Sequence, residues 1–302
     1  MSRIHALAEI VRKGKSSTAE TVAALRAVHQ REPVRIFEDP YAKFLCGWFW
    51  RLVLRIRPLE WIIRVMTKPM APTAMCVVMR ARYAEQALEQ AVEDGITQYV
   101  IIGSGMDSFA FRRPDLMERI DVFEIDHPAT QHKKLERIRR SGLIIPSRLH
   151  FVPADLTKIS AMDALAGSGF EMGRPTFLTL LGVVYYLTAD SLAETARSIS
   201  RHLPAGTLLV FDYMLDVESA RPEHLTMREN LRSFVARMGE PMVSDYSLAA
   251  MNTLMADQGF EAVENFALPD LEQSYREELG DLPLEIPSIF AFGTFQVAAR
   301  EA

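Results

Sequence analysis

Residues 99–112 read YVIIGSGMDSFAFR, a short apolar run that enters a loop with two glycines and an aspartate. The run 99–102 has the length and composition of a buried strand, and Gly103 and Gly105 fall where that strand turns toward a helix. Side chains are excluded at such a turn for one of two reasons: the backbone takes positive φ, or something approaches it closely.

Working outward, helical and apolar segments alternate. Residues 16–32 carry Val22, Leu25 and Val28 at helical spacing behind a Ser/Thr cap region, and the segment from Arg80 reads as a helix ended by Gly95. After the glycine loop a helix is predicted over 107–118, then the strand IDVFEID, a helix over 128–140 and the strand RLHFVPADL. The apolar stretch TFLTLLGVVYYL (176–187) reads as a fourth strand, followed by a helix over 189–202 and the strand PAGTLLVFDYM. Alternation of this kind calls for a parallel sheet covered by helices on both faces, with ligands bound at the carboxyl ends of its strands. Near the C-terminus, EAVENFAL and SIFAFGTFQVAA are both strands with no clear helix directly before the second, which predicts that the last strand enters antiparallel between its neighbours.

A lone G-x-G admits three explanations. One is a dinucleotide site, whose fingerprint would place a third glycine at position 108, where this chain has Ser108. Another is a site for S-adenosylmethionine, which carries no phosphate. The third is a tight turn that binds nothing. The next strand bears on the choice. VFEID places Glu124 and Asp126 at its end, about 20 residues beyond the glycines, where a carboxylate can accept from both hydroxyls of a ribose. The two acids share a strand face, and the terminal Asp126 is the better placed to reach the crevice. FVPADL then ends a third strand in Asp155, whose carboxylate can accept from an adenine amino group while the Leu156 N–H donates to a ring nitrogen.

The segments FEDPYAKFL, RARY, VIIGSGMDSFAFR, VFEIDHP, ADL and GVVYYLT, in that order, resemble the leucine carboxyl methyltransferase-like family of S-adenosylmethionine-dependent O-methyltransferases, which includes bacterial natural-product and polyketide enzymes. The resemblance covers roughly residues 16–215. It implies an α/β, Rossmann-like class I methyltransferase fold: a seven-stranded, mostly parallel sheet with an antiparallel last strand and an N-terminal helical lid. Residues 1–79 form the expected cap and 80–302 the catalytic domain, with an insertion at about 214–245. It implies S-adenosyl-L-methionine as cofactor, S-adenosyl-L-homocysteine as product, and no metal. Carried over position by position, Arg80 pairs with the methionyl carboxylate, with Arg82 the neighbouring candidate. Gly103 and Gly105 form the loop, Asp126 holds the ribose, and Asp155 with Leu156 reads the adenine. Leu181 stands where the family usually has a glutamate, and Tyr186 matches a family tyrosine that can face the acceptor.

Composition agrees with an ordinary soluble globular chain: 302 residues, 49% hydrophobic, 24% charged, net charge -5. The acidic balance argues against a nucleic-acid partner. Two cysteines, Cys46 and Cys76, offer neither a disulfide framework nor metal spacing and point to a reducing cytoplasm. The N-terminus lacks the apolar core of a signal peptide. Residues 44–66 are strongly apolar and aromatic, but Arg51, Arg55, Arg57, Pro58 and Arg64 interrupt them, short of the ~20 residues a membrane span requires. They read as a helix or helix pair packed over the domain with arginines in solvent, or as a face that rests on a membrane surface.

His127, His150 and His202 lie near strand or helix ends without a base-and-orienter arrangement, so each reads as structural. A carboxylate acceptor, ionised at neutral pH, needs no base, whereas a phenol or alcohol does. Methylation of a small carboxylic acid is therefore the expected chemistry, ahead of a phenolic hydroxyl. A cofactor-binding regulatory protein and a nicotinamide-dependent oxidoreductase are the alternatives. A homo-oligomer is compatible with everything above.

Overall fold

The computed structural model describes residues 18–67, 71–280 and 286–299, and in it seven strands form one mixed sheet. They are β1 (Gln98–Ile102), β2 (Asp121–Asp126), β3 (Leu149–Pro153), β4 (Phe177–Leu180), β5 (Leu208–Met214), β6 (Phe260–Ala267) and β7 (Phe290–Val297). Their spatial order is β3-β2-β1-β4-β5-β7-β6. β1 pairs in parallel with β2 and β4, and the parallel pairing continues to β3 on one side and β5 on the other. β7 runs antiparallel between β5 and β6, as the two closing strands predicted.

The strands read as near-continuous apolar runs because both faces of the sheet are covered. Tyr99 and Ile101 pack into the layer that holds the N-terminal helices and the helix Ala71–Glu93. Val100 and Ile102 pack into the opposite layer, with Leu192, Ala196 and Ile199 of the helix Ala189–His202. Chain order reverses direction across the sheet between β1 and β4, so the crevice opens at their carboxyl ends, beside Gly103 and Gly182.

Two predicted elements are broken in the structure. The strand expected over 176–187 stops at Leu180, because Gly182 adopts a left-handed φ of 74° and residues Val184–Tyr186 form a 3-10 turn. The helix expected over 107–118 is two short helices, Phe109–Arg112 and Pro114–Met117, since Pro114 cannot donate to a continuing helix and sits at the first position of the second. The helix Ala71–Glu93 runs unbroken through residue 80, so cap and sheet are joined by a helix and not by a linker. Residues 44–66 fold as the end of the short helix Ala42–Leu45 and the pair Trp48–Arg55 and Arg57–Thr67. Arg51, Arg55 and Arg57 face solvent as expected; Trp48 and Trp61 do too. The N-terminal stretch read for a signal peptide lies outside the described residues.

A buried carboxylate holds the cap to the sheet. Asp39 has no solvent exposure and accepts from Arg26 Nε at 2.8 Å, Ser108 Oγ at 2.7 Å, and the backbone N–H groups of Ala42 at 2.9 Å and Tyr41 at 3.2 Å. Arg26, from the helix Thr18–His29, also donates to the Met106 carbonyl at 2.6 Å, and Arg112 Nε donates to Ser108 Oγ at 3.0 Å. Arg112 in turn pairs with Glu85 of the helix Ala71–Glu93. Burial alone would raise the Asp39 pKa, but Arg26, Arg112 and Ser108 outweigh it and leave the carboxyl below its usual value.

Asp39→Ala strands the Arg26 guanidinium in the interior and is expected to lower unfolding free energy by about 3–5 kcal/mol, measured by urea denaturation. A lowered folded-state pKa means that the Asp39 contribution is complete above the unfolded value, near ~3.9, and is lost as pH falls through the folded value. The gap between wild type and Asp39→Asn should therefore be constant above about pH 5 and shrink only in strong acid.

Candidate active site

At the carboxyl ends of β1 and β4 lies a cavity of about 270 Å³, at the lower end of small-molecule sites. Of the residues singled out from sequence, Arg80, Gly103, Gly105, Asp126, Leu181 and Tyr186 line it. Asp155 and Leu156 do not. The turn after β3 folds Asp155 onto its own neighbours, where it accepts from Thr157 Oγ1 at 2.6 Å and Lys158 Nζ at 2.8 Å, and Leu156 is exposed. The hydrogen bond from Lys158, then that from Thr157, holds the Asp155 carboxyl well below the usual range.

Gly103 and Gly105 have φ values of 75° and 53°. A Cβ on Gly103 would lie 2.8 Å from Val183 Cγ2, so backbone geometry and close packing both exclude a side chain there. The Gly103 and Ser104 N–H groups bond the Ile125 carbonyl at 2.9 and 3.1 Å, which fastens the loop to the end of β2. Asp126 then reaches across: one carboxylate oxygen accepts from the Gly105 N–H, the other from the His127 N–H at 2.6 Å. Burial pushes the Asp126 pKa up. Glu124, two residues earlier, is fully buried and pairs with Lys134 Nζ at 2.5 Å, a structural role outside the cavity.

Arg80 is seated by a second buried acid. Its Nη1 donates to Asp212 Oδ2 at 3.0 Å and to the Tyr185 hydroxyl at 2.9 Å, while Asp212 Oδ1 accepts from the Gly182 N–H at 2.5 Å. A Cβ on Gly182 would lie 2.7 Å from Arg80 Nη2, so the left-handed glycine makes room for the guanidinium. Burial disfavours the charge, but Asp212 and Tyr185 outweigh it and keep Arg80 cationic. Arg82 is used elsewhere, donating to the Ile36 carbonyl at 2.8 Å and pairing with Glu278. Tyr185 thus braces Arg80, and Tyr186 turns to the cavity; burial raises its phenol well above the ordinary value, so it is a hydrogen-bond donor at neutral pH and not a base.

Sequence reasoning missed Arg26, Thr18, Ser104, Asp107 and Glu240, which also line the cavity. The aspartate of FEDP was a signal for the Arg26 seat, but no local pattern announced Glu240, which arrives from the segment after the helix Leu225–Arg237. Ser104 Oγ and Thr18 Oγ1 are buried without a hydrogen-bond partner, orphaned groups that a polar ligand would satisfy. Among the described lining residues both arginines are matched by buried acids outside the lining, whereas Asp107, Asp126 and Glu240 form an acid surplus. Among the described residues that line it there is no histidine. His127 caps a helix by accepting from the Ala129 N–H, His150 bonds Asp121 at 3.1 Å and stacks on Phe123, and His202 bonds the Ser198 carbonyl at 2.8 Å. Among the described residues no cluster of three metal-ligating side chains occurs, and no helix is long and apolar enough to cross a membrane.

Residues 19–200 match the leucine carboxyl methyltransferase family, and the chain belongs to that family. It is 35% identical over 217 residues to YktD of Bacillus subtilis (strain 168), by name a candidate S-adenosyl-L-methionine-dependent methyltransferase, with 72% of this chain and 69% of that protein covered. A similarly named protein of Mycobacterium ulcerans (strain Agy99) is 28% identical over 258 residues, covering 80% of each chain. In fold the chain is similar to a crystal structure of a candidate methyltransferase from Thermobifida fusca YX, with a TM-score of 0.60, 15% identity and 95% and 96% of the two chains covered. A protein of Streptomyces avermitilis MA-4680 superposes with a TM-score of 0.62 at 15% identity, covering 94% and 98%. The fold is that of the class I methyltransferases.

Gly182→Ala should destabilise the protein by about 1–3 kcal/mol, because it forces a side chain into a left-handed position already filled by Arg80. Gly173→Ala, where an added Cβ meets nothing within 4 Å, is the control, and urea unfolding of the two variants is the measurement.

Proposed function

We propose that this chain binds S-adenosyl-L-methionine in the cavity between Gly103 and Gly182 and transfers its methyl group to a carboxylate of a small organic acid. One observation carries the reading: a cavity whose described lining has surplus carboxylates, orphaned hydroxyls and no histidine stands at the reversal point of a methyltransferase sheet. A ligand with sulfonium and ammonium charges offsets Asp107, Asp126 and Glu240, while its single carboxylate suits Arg80. When bound, the cofactor supplies an electrophilic methyl and a neutral thioether leaving group.

The chain's own residues then have separable tasks. Asp212 and Tyr185 fix the direction of the Arg80 guanidinium, so it need not be reordered on binding. Asp126, half-buried at the end of β2, is placed to accept from the two ribose hydroxyls, exchanging the Gly105 N–H for a ligand donor. The loop of Gly103 and Gly105 gives the ligand backbone instead of side chains. Tyr186, held protonated, can donate to an acceptor oxygen and orient it. A carboxylate acceptor becomes a neutral ester with no proton to remove, which matches the lack of an imidazole base among the described lining residues. Asp155 and Leu156, outside the lining, would join an adenine site only if the turn after β3 released Asp155 from Thr157 and Lys158. The helix Thr18–His29 supplies Thr18, Ala19 and Val22 as a lid.

A second reading, binding without turnover, rests on Leu181: an apolar side chain lines the cavity where the sequence resemblance leads one to expect a glutamate.

Asp126→Ala should weaken binding of S-adenosyl-L-homocysteine at least tenfold in calorimetry, about 1.4 kcal/mol or more for a charge-assisted contact to two hydroxyls. Since Asp126 has a raised pKa, wild-type affinity should start to fall, on acidification, at a higher pH than an ordinary aspartate would give. In a methyl-release assay over a panel of carboxylic and phenolic acids, the rate with a carboxylic acid should be flat between about pH 6 and 9, where the acceptor is already ionised. Binding of both cofactor forms without methyl release from any acceptor would favour the second reading, and absence of binding would overturn both.

A further inference from the structure

The two helices Trp48–Arg55 and Arg57–Thr67 present a face whose composition the methyltransferase site does not use. Trp48, Arg51, Leu52 and Arg55 recur at helical spacing on the exposed side of the first helix, while Trp50, Val53 and Leu54 are buried beneath. Ile56, Arg57, Trp61, Ile62 and Val65 continue the exposed side into the second helix, over the buried Glu60 and Ile63. Trp48 and Trp61 are 68% and 66% exposed, and they stand beside four exposed aliphatic side chains in a contiguous stretch of chain. Monomeric proteins rarely leave such a face to water without a partner for it.

The charge on this face selects the partner. In the segment 48–67 the charged residues are Arg51, Arg55, Arg57, Arg64 and a single acid, Glu60, which is buried and paired with Arg31. The chain as a whole carries a net charge of -5, so positive charge is segregated here against the general balance. Packing this face on its counterpart in a second copy would set arginines against arginines. An anionic lipid surface neutralises them, and indole rings favour the depth of lipid headgroups, with their apolar body inward and the N–H toward water.

We propose that the Trp48–Arg55 and Arg57–Thr67 face docks on an anionic bilayer surface, with Trp48 and Trp61 inserted at headgroup depth and Arg51, Arg55 and Arg57 on the lipid phosphates. The docked helices adjoin the lid of the cavity. Arg31, just past the helix Thr18–His29, pairs with Glu60 and donates to the Leu54 carbonyl at 2.5 Å, which couples the docking face to the helix that supplies Thr18, Ala19 and Val22 to the cavity.

The test is co-sedimentation of the full chain with vesicles of equal parts phosphatidylglycerol and phosphatidylcholine, against vesicles of phosphatidylcholine alone. Expected are binding to the anionic vesicles, weakening with added salt, and a blue shift of tryptophan emission on vesicle addition, since Trp50 is already buried and Trp48 and Trp61 are the indoles free to change environment. Each of Arg51→Gln, Arg55→Gln and Arg57→Gln should lower the partition coefficient roughly fivefold. The double variant Trp48→Ser, Trp61→Ser should lower it more than about tenfold. Both tryptophans are exposed, so its unfolding transition should match wild type. Absence of binding with unchanged emission overturns the proposal, as does equal binding by the double tryptophan variant. A concentration-dependent dimer in sedimentation velocity, abolished by that variant, also overturns it and assigns the face to a second copy. None of these outcomes depends on cofactor binding or methyl transfer.

Discussion

A fully buried aspartate, Asp39, decides how this molecule is assembled. An uncompensated carboxylate in that position would cost several kcal/mol, so the interior around it has to deliver donors from every direction. They come from parts of the chain that have no local reason to meet: Arg26 from the helix Thr18–His29, Ser108 from the start of the helix after the glycine loop, and the N–H groups of Tyr41 and Ala42. Arg112 and Glu85 extend the network to the helix Ala71–Glu93. The cap is thereby locked onto the loop that forms the floor of the cavity, and Arg26 touches that loop directly through the Met106 carbonyl. Ser108 stands where a dinucleotide site would want its third glycine, and its hydroxyl is spent on Asp39.

The same device recurs on the opposite wall. Asp212 projects from β5 between the Arg80 guanidinium and the Gly182 N–H, so a single carboxylate sets both the cation and the turn at the end of β4. Gly182 has to be left-handed and bare for this arrangement, and the break of the apolar run 176–187 at that point follows from it. Floor and wall are each built on a buried acid and arginine, with their charges matched outside the lining. What the described lining presents is the unmatched remainder: three carboxylates, two orphaned hydroxyls and a protonated phenol. Such a surface suits a cationic ligand better than an anionic one.

How far the site was legible depended on whether its chemistry sits at a position that local structure already defines. Asp126 could be read because a strand end points into the crevice of any such sheet, and Arg80 because RARY matches a family pattern. Asp155 sits at a strand end by the same rule, yet the following Thr157 and Lys158 satisfy its carboxylate within three residues and keep it on the surface. Local hydrogen bonding by an aspartate competes with any longer reach. The choice between Tyr185 and Tyr186 likewise rested on a partner far away in sequence, since Arg80 takes the first and leaves the second to the cavity.

The sequence by itself determined the sheet: alternating buried strands and helices, a reversal beside a glycine loop and two closing strands admit few other arrangements, because hydrophobic period and chain connectivity are local properties. It also determined which residues were available for chemistry at the strand ends. Tertiary structure alone decided which of them line the cavity. Asp39 and Ser108 are 69 residues apart and Arg80 and Asp212 are 132 apart, so no periodicity links them; only burial, which makes an unpaired charge intolerable, brings each to its partner. Tertiary structure also decided that Trp48 and Trp61 remain outside, with Trp50, Val53 and Leu54 filling the layer beneath the helix Trp48–Arg55 and Glu60 and Ile63 buried beneath the helix Arg57–Thr67.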